Sequence, residues 1–299
     1  MLLGELAALG AALCWALGGV VAVTPIRQLG PLPFNRVRMA LVFLMLATTA
    51  LFTGGWREVS EASLKALMLS GLVGIFLGDT ALFASLQRLG PSRSAVVFAL
   101  NAPMTVILGW VVLEEHLQPL TLFGCLLVPL GVMLAILGRS RVEVQQNLDS
   151  PEGRLWHGIA LGLLAALGQA VGSIIARPVM ASGMDPATAS ALRVGTAALG
   201  LLALGFLPNP IFHAKVPFTR QLVGRIVLSG FLGMGLGMTL LLFALSQGDA
   251  GVVATLSATT PVLILPLLWW RTGVRPPGIA WSGAAVAVVG TALIAIARA

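Results

Sequence analysis

No tyrosine occurs in this chain of 299 residues, cysteine is used twice and histidine three times. Asp, Glu, Lys and Arg together make up only 10% of it. A soluble domain carries about 25% charged residues, so a single water-facing fold around one core is excluded. Cys14 and Cys125 both fall inside apolar runs and read as small buried hydrophobes rather than a disulfide or a metal pair. His116, His157 and His213 lie near the ends of such runs, and no glycine-rich loop cradles a phosphate. Nothing therefore fits metal or nucleophilic catalysis, and neither enzyme activity nor a cofactor is expected. With 6% aromatic residues and no tyrosine, an aromatic cage for quaternary ammonium groups has little support. The net charge of +7 comes from Arg and Lys scattered through connecting segments, not from a basic cluster interleaved with aromatics, so no nucleic-acid partner is expected. The first basic residue is Arg27, which leaves no positive n-region, and Leu6–Val23 reads as a retained first helix.

What the chain has is hydrophobic length. It is 58% hydrophobic, with a mean hydropathy of +0.97. Apolar stretches follow one another at 4–24, 34–53, 64–86, 94–113, 119–138, 155–180, 186–207, 222–246, 250–270 and 278–297. About 20 helical residues cross a hydrocarbon core of ~30 Å, so each stretch is a membrane span in a lipid-bilayer protein. Pro, Gly or charged residues bound them, as at Gly30-Pro31, Gly54-Gly55-Trp56-Arg57 and Arg275-Pro276-Pro277. Trp56, Trp110, Trp156, Trp269, Trp270 and Trp281 fall close to span ends, as an interfacial belt requires, whereas Trp15 sits in mid-span. The longest polar segment is Arg139–Arg154. The expected organisation is a first unit of five spans at 1–138, a polar linker at 139–154 and a second unit of five spans at 155–299.

The second unit repeats the first. Ser70, Gly71, Gly74, Gly78 and Thr80 match Ser229, Gly230, Gly233, Gly237 and Thr239, all displaced by 159. Gly124 and Gly131 match Gly283 and Gly290 at the same displacement, and Pro103 matches Pro261 at 158. Arg38 matches Arg193 at 155, and Gly18 matches Gly172 at 154. An ordered set of matches covering every span pair is evidence of duplication. A unit with an odd number of spans, repeated in tandem, crosses the bilayer in opposite senses, so the fold class is all-α integral membrane with ten helices in two inverted five-helix repeats. Inverted repeats of this kind place substrate sites near the midplane, between the halves.

These residues resemble the drug/metabolite transporter superfamily, specifically bacterial proteins with two EamA-type repeats. The resemblance rests on Asn101-Ala102-Pro103, on Leu113-Glu114-Glu115, and on Gly124 leading into Leu130-Gly131-Val132. The second-half counterparts are Thr260-Pro261, Gly283 and Val289-Gly290. The chain departs from the pattern after its second Pro helix, where Arg271-Thr272-Gly273 stands in place of an acidic residue. The resemblance implies a ten-helix basket with a central cavity, alternating access without ATP hydrolysis, and substrates ranging over amino acids, other metabolites and drugs.

Several polar groups lie inside the spans. Arg38 and Arg193 are one to two turns in, a depth that costs about 2.5–3.5 kcal/mol unless a partner or water compensates. They are either structural, snorkelling or capping carbonyls, or they attract a substrate carboxylate from opposite membrane faces. Asp79 is the acidic residue well inside a span, and its repeat counterpart is Met238. It binds an ammonium group, exchanges a coupling proton, or forms a static pair with an arginine. Arg177, before Pro178, is a weaker candidate of the same kind. Pro103 and Pro261 are expected to break their helices and free carbonyls within the membrane. Asn101, Thr105, Thr255, Ser257, Thr259 and Thr260 around those breaks either line the cavity or satisfy their own helices. Trp15, Phe76, Phe83 and Met234 either shape an apolar pocket or simply pack. Gly74-x-x-x-Gly78 and Gly233-x-x-x-Gly237 offer smooth faces for close helix approach.

The expected function is secondary export of small zwitterionic or anionic metabolites, with amino acids foremost, across a bacterial inner membrane. The partners are the small-molecule substrate and a coupling proton, and the protein is expected to be a monomer. Efflux of lipophilic cations ranks lower because the first helix carries only Glu5, at its edge. Flipping of a lipid-linked headgroup and a non-transporting scaffold are further alternatives. The loops after odd-numbered spans hold most of the arginines, which places both termini in the periplasm by the positive-inside rule. The family resemblance implies both cytoplasmic.

Overall fold

A computed structural model describes residues 2–143, 155–273 and 275–297. Ten of its helices are long and apolar enough to cross a membrane: α1 (Leu2–Leu29), α2 (Pro31–Thr53), α3 (Glu61–Leu86), α4 (Arg93–Leu113), α5 (Pro119–Leu137), α6 (Leu155–Ala181), α7 (Pro186–Leu204), α8 (Arg220–Gln247), α9 (Ala250–Leu267) and α10 (Gly278–Ile296). No strand occurs among the described residues. The outer surface is apolar: Leu44, Leu51, Phe52, Phe123, Leu130 and Val288 are all exposed, the pattern of a lipid-facing surface.

The boundaries show how the chain handles its helix breakers. The sequence places the end of α1 before Pro25, yet the helix runs through it to Leu29. A proline four residues from the end forfeits one carbonyl partner, and the stop comes from Gly30, whose φ of 92° with ψ of 155° is open to glycine and leaves the helix. Pro31 and Pro33 then sit in the first turn of α2, where a missing N–H costs nothing. Ser60, Asp185 and Thr219 cap α3, α7 and α8 by accepting from Ser63, Thr188 and Leu222 N–H. The helix containing α5 continues to Glu143, five residues into the expected linker, and positions 144–154 lie outside the described residues.

The two prolines expected to break helices each follow an interruption. In α4 the interruption falls at Ala99–Leu100, and in α9 at Ala258–Thr259. Pro103 and Pro261 follow in the first turn of the helices that restart at Asn101 and Thr260. Each proline disrupts the turn before it and sits in the first turn of the helix that follows, where the N–H groups have no intrahelical acceptor to lose.

Packing follows the internal repeat. The third span of each repeat lies on the first span of the other. Ser70 Oγ in α3 donates to Gly172 O in α6 at 2.5 Å, and its counterpart Ser229 Oγ in α8 donates to Gly18 O in α1 at 2.9 Å. Just beyond each serine the helix widens into a π-helical segment, Leu72–Leu77 in α3 and Phe231–Gly237 in α8. Glycine allows the close approach at these crossings, since a Cβ on Gly172 would lie 2.8 Å from Gly74 Cα and one on Gly18 would lie 3.2 Å from Gly233 N. The fifth spans pair with each other in the same manner: a Cβ on Gly131 would lie 2.6 Å from Gly283 O, and one on Gly283 2.6 Å from Gly131 O. A continuous core containing Met39, Ile75, Met180, Val194, Met238, Leu242 and Leu256 draws on both repeats. This is one body of interlocked halves.

Candidate functional site

Buried charge concentrates where α2 meets α3 and where α7 meets α8. Asn35 and Arg38 are one turn apart on α2, so both face the same neighbour. Arg38 Nη2 donates to Asn35 Oδ1 at 2.7 Å and lies 3.7 Å from Asp79 Oδ2 in α3. Asn35 Nδ2 reaches the same carboxylate oxygen at 3.4 Å. The Arg38 and Asp79 side chains are only 13% and 17% exposed. The guanidinium also stands over the Phe34 ring, 5.2 Å from its centroid. Asp79 thus stands in an ion pair with Arg38, an arrangement compatible with each of the three readings that the sequence leaves to it.

Arg193, the counterpart of Arg38, is 0% exposed. Its Nη1 donates to Met238 Sδ at 3.4 Å, a weak acceptor, while Nε and Nη2 have no hydrogen-bond partner among the described residues. The facing turn of α3 is glycine: a Cβ on Gly74 would lie 3.4 Å from Arg193 Nη2. Ser190, one turn before Arg193, is buried, with its Oγ 3.3 Å from Thr239 Oγ1. The two arginines thus occupy matching positions with different surroundings.

The polar groups near the helix interruptions are turned largely to backbone. Asn101 Nδ2 donates to Phe98 O at 2.7 Å, Thr105 Oγ1 to Asn101 O at 2.7 Å and Thr259 Oγ1 to Leu256 O at 2.7 Å. Thr260 Oγ1 reaches across to Ala12 O in α1 at 3.2 Å, as well as to Ser257 O. Trp15 in α1 donates its indole N–H to Gly233 O at 2.8 Å, inside the π-helical segment of α8, where the widened turn leaves that carbonyl available.

A further cluster joins three spans at one end of α4. Glu115 Oε1 accepts from Ala250 N, the first residue of α9, at 2.9 Å and lies 3.6 Å from Arg177 Nε in α6. An apolar groove of about 440 Å³ lies between α2, α3 and α7, lined by Phe43, Leu44, Met68, Leu192 and Leu199.

Sequence reasoning named Asp79, Arg38, Arg193, Arg177 and Trp15 but missed Asn35 and Ser190. The signal was present, since Asn35 stands three residues before Arg38 and its counterpart at displacement 155 is Ser190.

Ten apolar spans in two interlocked inverted repeats, with charge buried at matching places in each, define a multi-pass membrane transporter fold. The sequence profile of the EamA-like transporter family matches residues 2–137 and 156–296, and the chain belongs to that family. It is 26% identical over 227 residues to an uncharacterized membrane protein of Saccharomyces cerevisiae, YMR253C, covering 69% of this chain and 53% of that one. It is 27% identical over 144 residues to the WAT1-related protein At3g53210 of Arabidopsis thaliana, covering 46% and 39% respectively. The uncharacterized transporter YyaM of Bacillus subtilis is 21% identical over 243 residues, covering 81% and 67%. The chain therefore spans about half the length of the yeast relative and less of the plant one. A solved crystal structure superposes with a TM-score of 0.79 at 20% identity, over 99% of this chain and 97% of its own, which establishes the shared fold.

Proposed function

We propose that the protein is a secondary transporter that exports small zwitterionic or anionic metabolites, amino acids foremost, across a bacterial inner membrane. The observation that carries this reading is the buried charge: Arg38 paired with Asp79 on one side of the repeat, and on the other Arg193, with no carboxylate partner among the described residues. A bilayer protein keeps a buried guanidinium at a cost of several kcal/mol only where an anion or water offsets it. A solute bearing both an acid and an amine has complementary groups for these two sites. On this reading Trp15, Asn101, Thr259 and Thr260, on α1, α4 and α9, line the path, although their polar atoms are bonded to backbone oxygens. Asp79 is the coupling group: a proton on its carboxylate removes the attraction of Arg38 and frees the two spans to separate. The rocking surfaces are the glycine crossings of α3 on α6 and α8 on α1.

The test is uptake of a radiolabelled amino-acid mixture into proteoliposomes under an imposed pH gradient, with empty liposomes as control. Saturable, gradient-enhanced uptake is expected. Uptake no greater than in the control removes the amino-acid reading and moves lipophilic-cation efflux and other metabolites forward.

A further inference from the structure

The two repeats build the same cradle and fill it differently. Asn35, Arg38 and Asp79 correspond to Ser190, Arg193 and Met238, at displacements of 155, 155 and 159. In the first repeat the carboxylate comes from the protein itself, 3.7 Å from Arg38 and 3.4 Å from Asn35. In the second, the place of that carboxylate belongs to a thioether, 3.4 Å from Arg193 Nη1. Thioether sulfur accepts weakly and carries no charge. Two further nitrogens of the Arg193 guanidinium, Nε and Nη2, have no hydrogen-bond partner among the described residues, although the residue is wholly buried. A Lys or Arg that only snorkels would place its charged end in water or among headgroups, and Arg193 does not.

We propose that Arg193 and Ser190 form the binding site for the carboxylate of the transported solute, held against Arg193 as Asp79 is held against Arg38. Met238 is the residue that sets this specificity, by leaving the second cradle without a carboxylate of its own. The proposal rests on the transport reading above and narrows it. A single unpaired guanidinium beside a hydroxyl selects one carboxylate, so monocarboxylates, including amino acids, are bound, and amines lacking the acid are refused. Phosphate monoesters, with close to two charges, exceed what one cation compensates. Entry requires α3 to part from α7, and the glycines at 71 and 74 face Arg193 with no side chain to obstruct that movement: a Cβ on Gly71 would lie 2.7 Å from Arg193 Cα.

The test uses the purified full-length protein and needs no knowledge of the natural solute. Met238→Glu installs in the second repeat the carboxylate that the first one has, and Met238→Gln is the neutral control of matching size. The expected result is a higher thermal midpoint for Met238→Glu than for Met238→Gln. That difference should vanish or reverse in an Arg193→Leu background. Sodium acetate, against sodium chloride at equal ionic strength, should raise the midpoint of the unaltered protein and leave Met238→Glu unmoved. A Met238→Glu midpoint equal to or below that of Met238→Gln overturns the proposal, and that comparison decides even if the Arg193→Leu variants do not fold. So does acetate acting equally on the unaltered protein and on Met238→Glu. The two readings fail separately: uptake lost with the Glu–Gln difference intact removes the amino-acid assignment alone, and the converse removes this site alone.

Discussion

The Glu115 carboxylate accepts the backbone N–H of Ala250, 135 residues away, at 2.9 Å. Asp249, the residue at the N-cap of that helix, makes no capping bond with its own side chain. The start of α9 is therefore capped from another span, and Arg177 Nε stands 3.6 Å from the same oxygen. The second repeat offers no acid for the matching task, since Arg271-Thr272-Gly273 occupies that place. One end of the paired α4–α9 helices thus carries a tie that the other does not.

Removing that tie should cost what a helix cap costs. Glu115→Ala is expected to lower stability by about 1–2 kcal/mol, because it leaves the Ala250 N–H without an acceptor and Arg177 without a counter-charge. Glu115→Gln keeps an acceptor oxygen and should lose less. Thermal midpoints of the two purified variants decide this, and equal losses would mean that the charge, not the cap, matters.

The internal repeat also predicts a stabilising change. Glu114 ends α4 with φ of 55°, and its counterpart Gly273 ends α9's helix with φ of 69°. A left-handed conformation costs a residue with a Cβ about 1–2 kcal/mol, and glycine adopts it freely. Glu114→Gly should raise stability by about 1 kcal/mol, net of the unfolded-state entropy that glycine adds. A lower midpoint would show that the exposed Glu114 side chain contributes an interaction of its own.

Close backbone approach of α5 and α10 should tolerate no side chain. A methyl on Gly131 meets Ala287 N and Gly283 O, both backbone atoms that cannot swing away. Gly131→Ala is expected to cost about 1–3 kcal/mol by overpacking, and Gly131→Leu to abolish folding. By contrast, Gly224→Ala, where nothing lies within 4 Å of a Cβ, should be neutral or better in its helix. Expression level and detergent-phase thermal midpoints of the three variants supply the check.

The spans were legible because each one is a continuous apolar run whose length the bilayer dictates, and the repeat was legible because glycines at fixed displacements survive where backbones touch. The serine anchors, Ser70 and Ser229, were visible only as repeat matches. Their acceptors, Gly172 O and Gly18 O, are backbone atoms in the opposite half, and no side-chain pattern marks a carbonyl. The π-helical segments were hidden for a related reason. A widened turn shifts register by one residue, and in Leu72–Leu77 and Phe231–Gly237 an all-apolar stretch has no polar face to reveal the shift. Pro103 and Pro261 pointed to the two interruptions, at Ala99–Leu100 and Ala258–Thr259, but a proline in sequence does not show that the next helix restarts before it. The Arg38–Asp79 pair was one of several open choices until the structure brought α2 against α3.

That pair supplies the most direct test of mechanism. Asp79→Asn keeps the shape of the side chain and its contact with Asn35 while leaving Arg38 buried without a counter-ion, an arrangement that costs about 3 kcal/mol when a buried pair loses one partner. If Asp79 only neutralises Arg38, the double change Arg38→Met with Asp79→Asn should restore both stability and transport, since an ion pair can be exchanged for neutral groups of similar volume. If Asp79 carries the coupling proton, the same double variant should recover its thermal midpoint but still move solute only down the solute's own gradient, indifferent to an imposed pH difference. Measuring both quantities on one preparation in proteoliposomes separates the outcomes. Recovery of stability without gradient-driven uptake is expected, and gradient-driven uptake by the double variant would reduce Asp79 to a structural counter-ion.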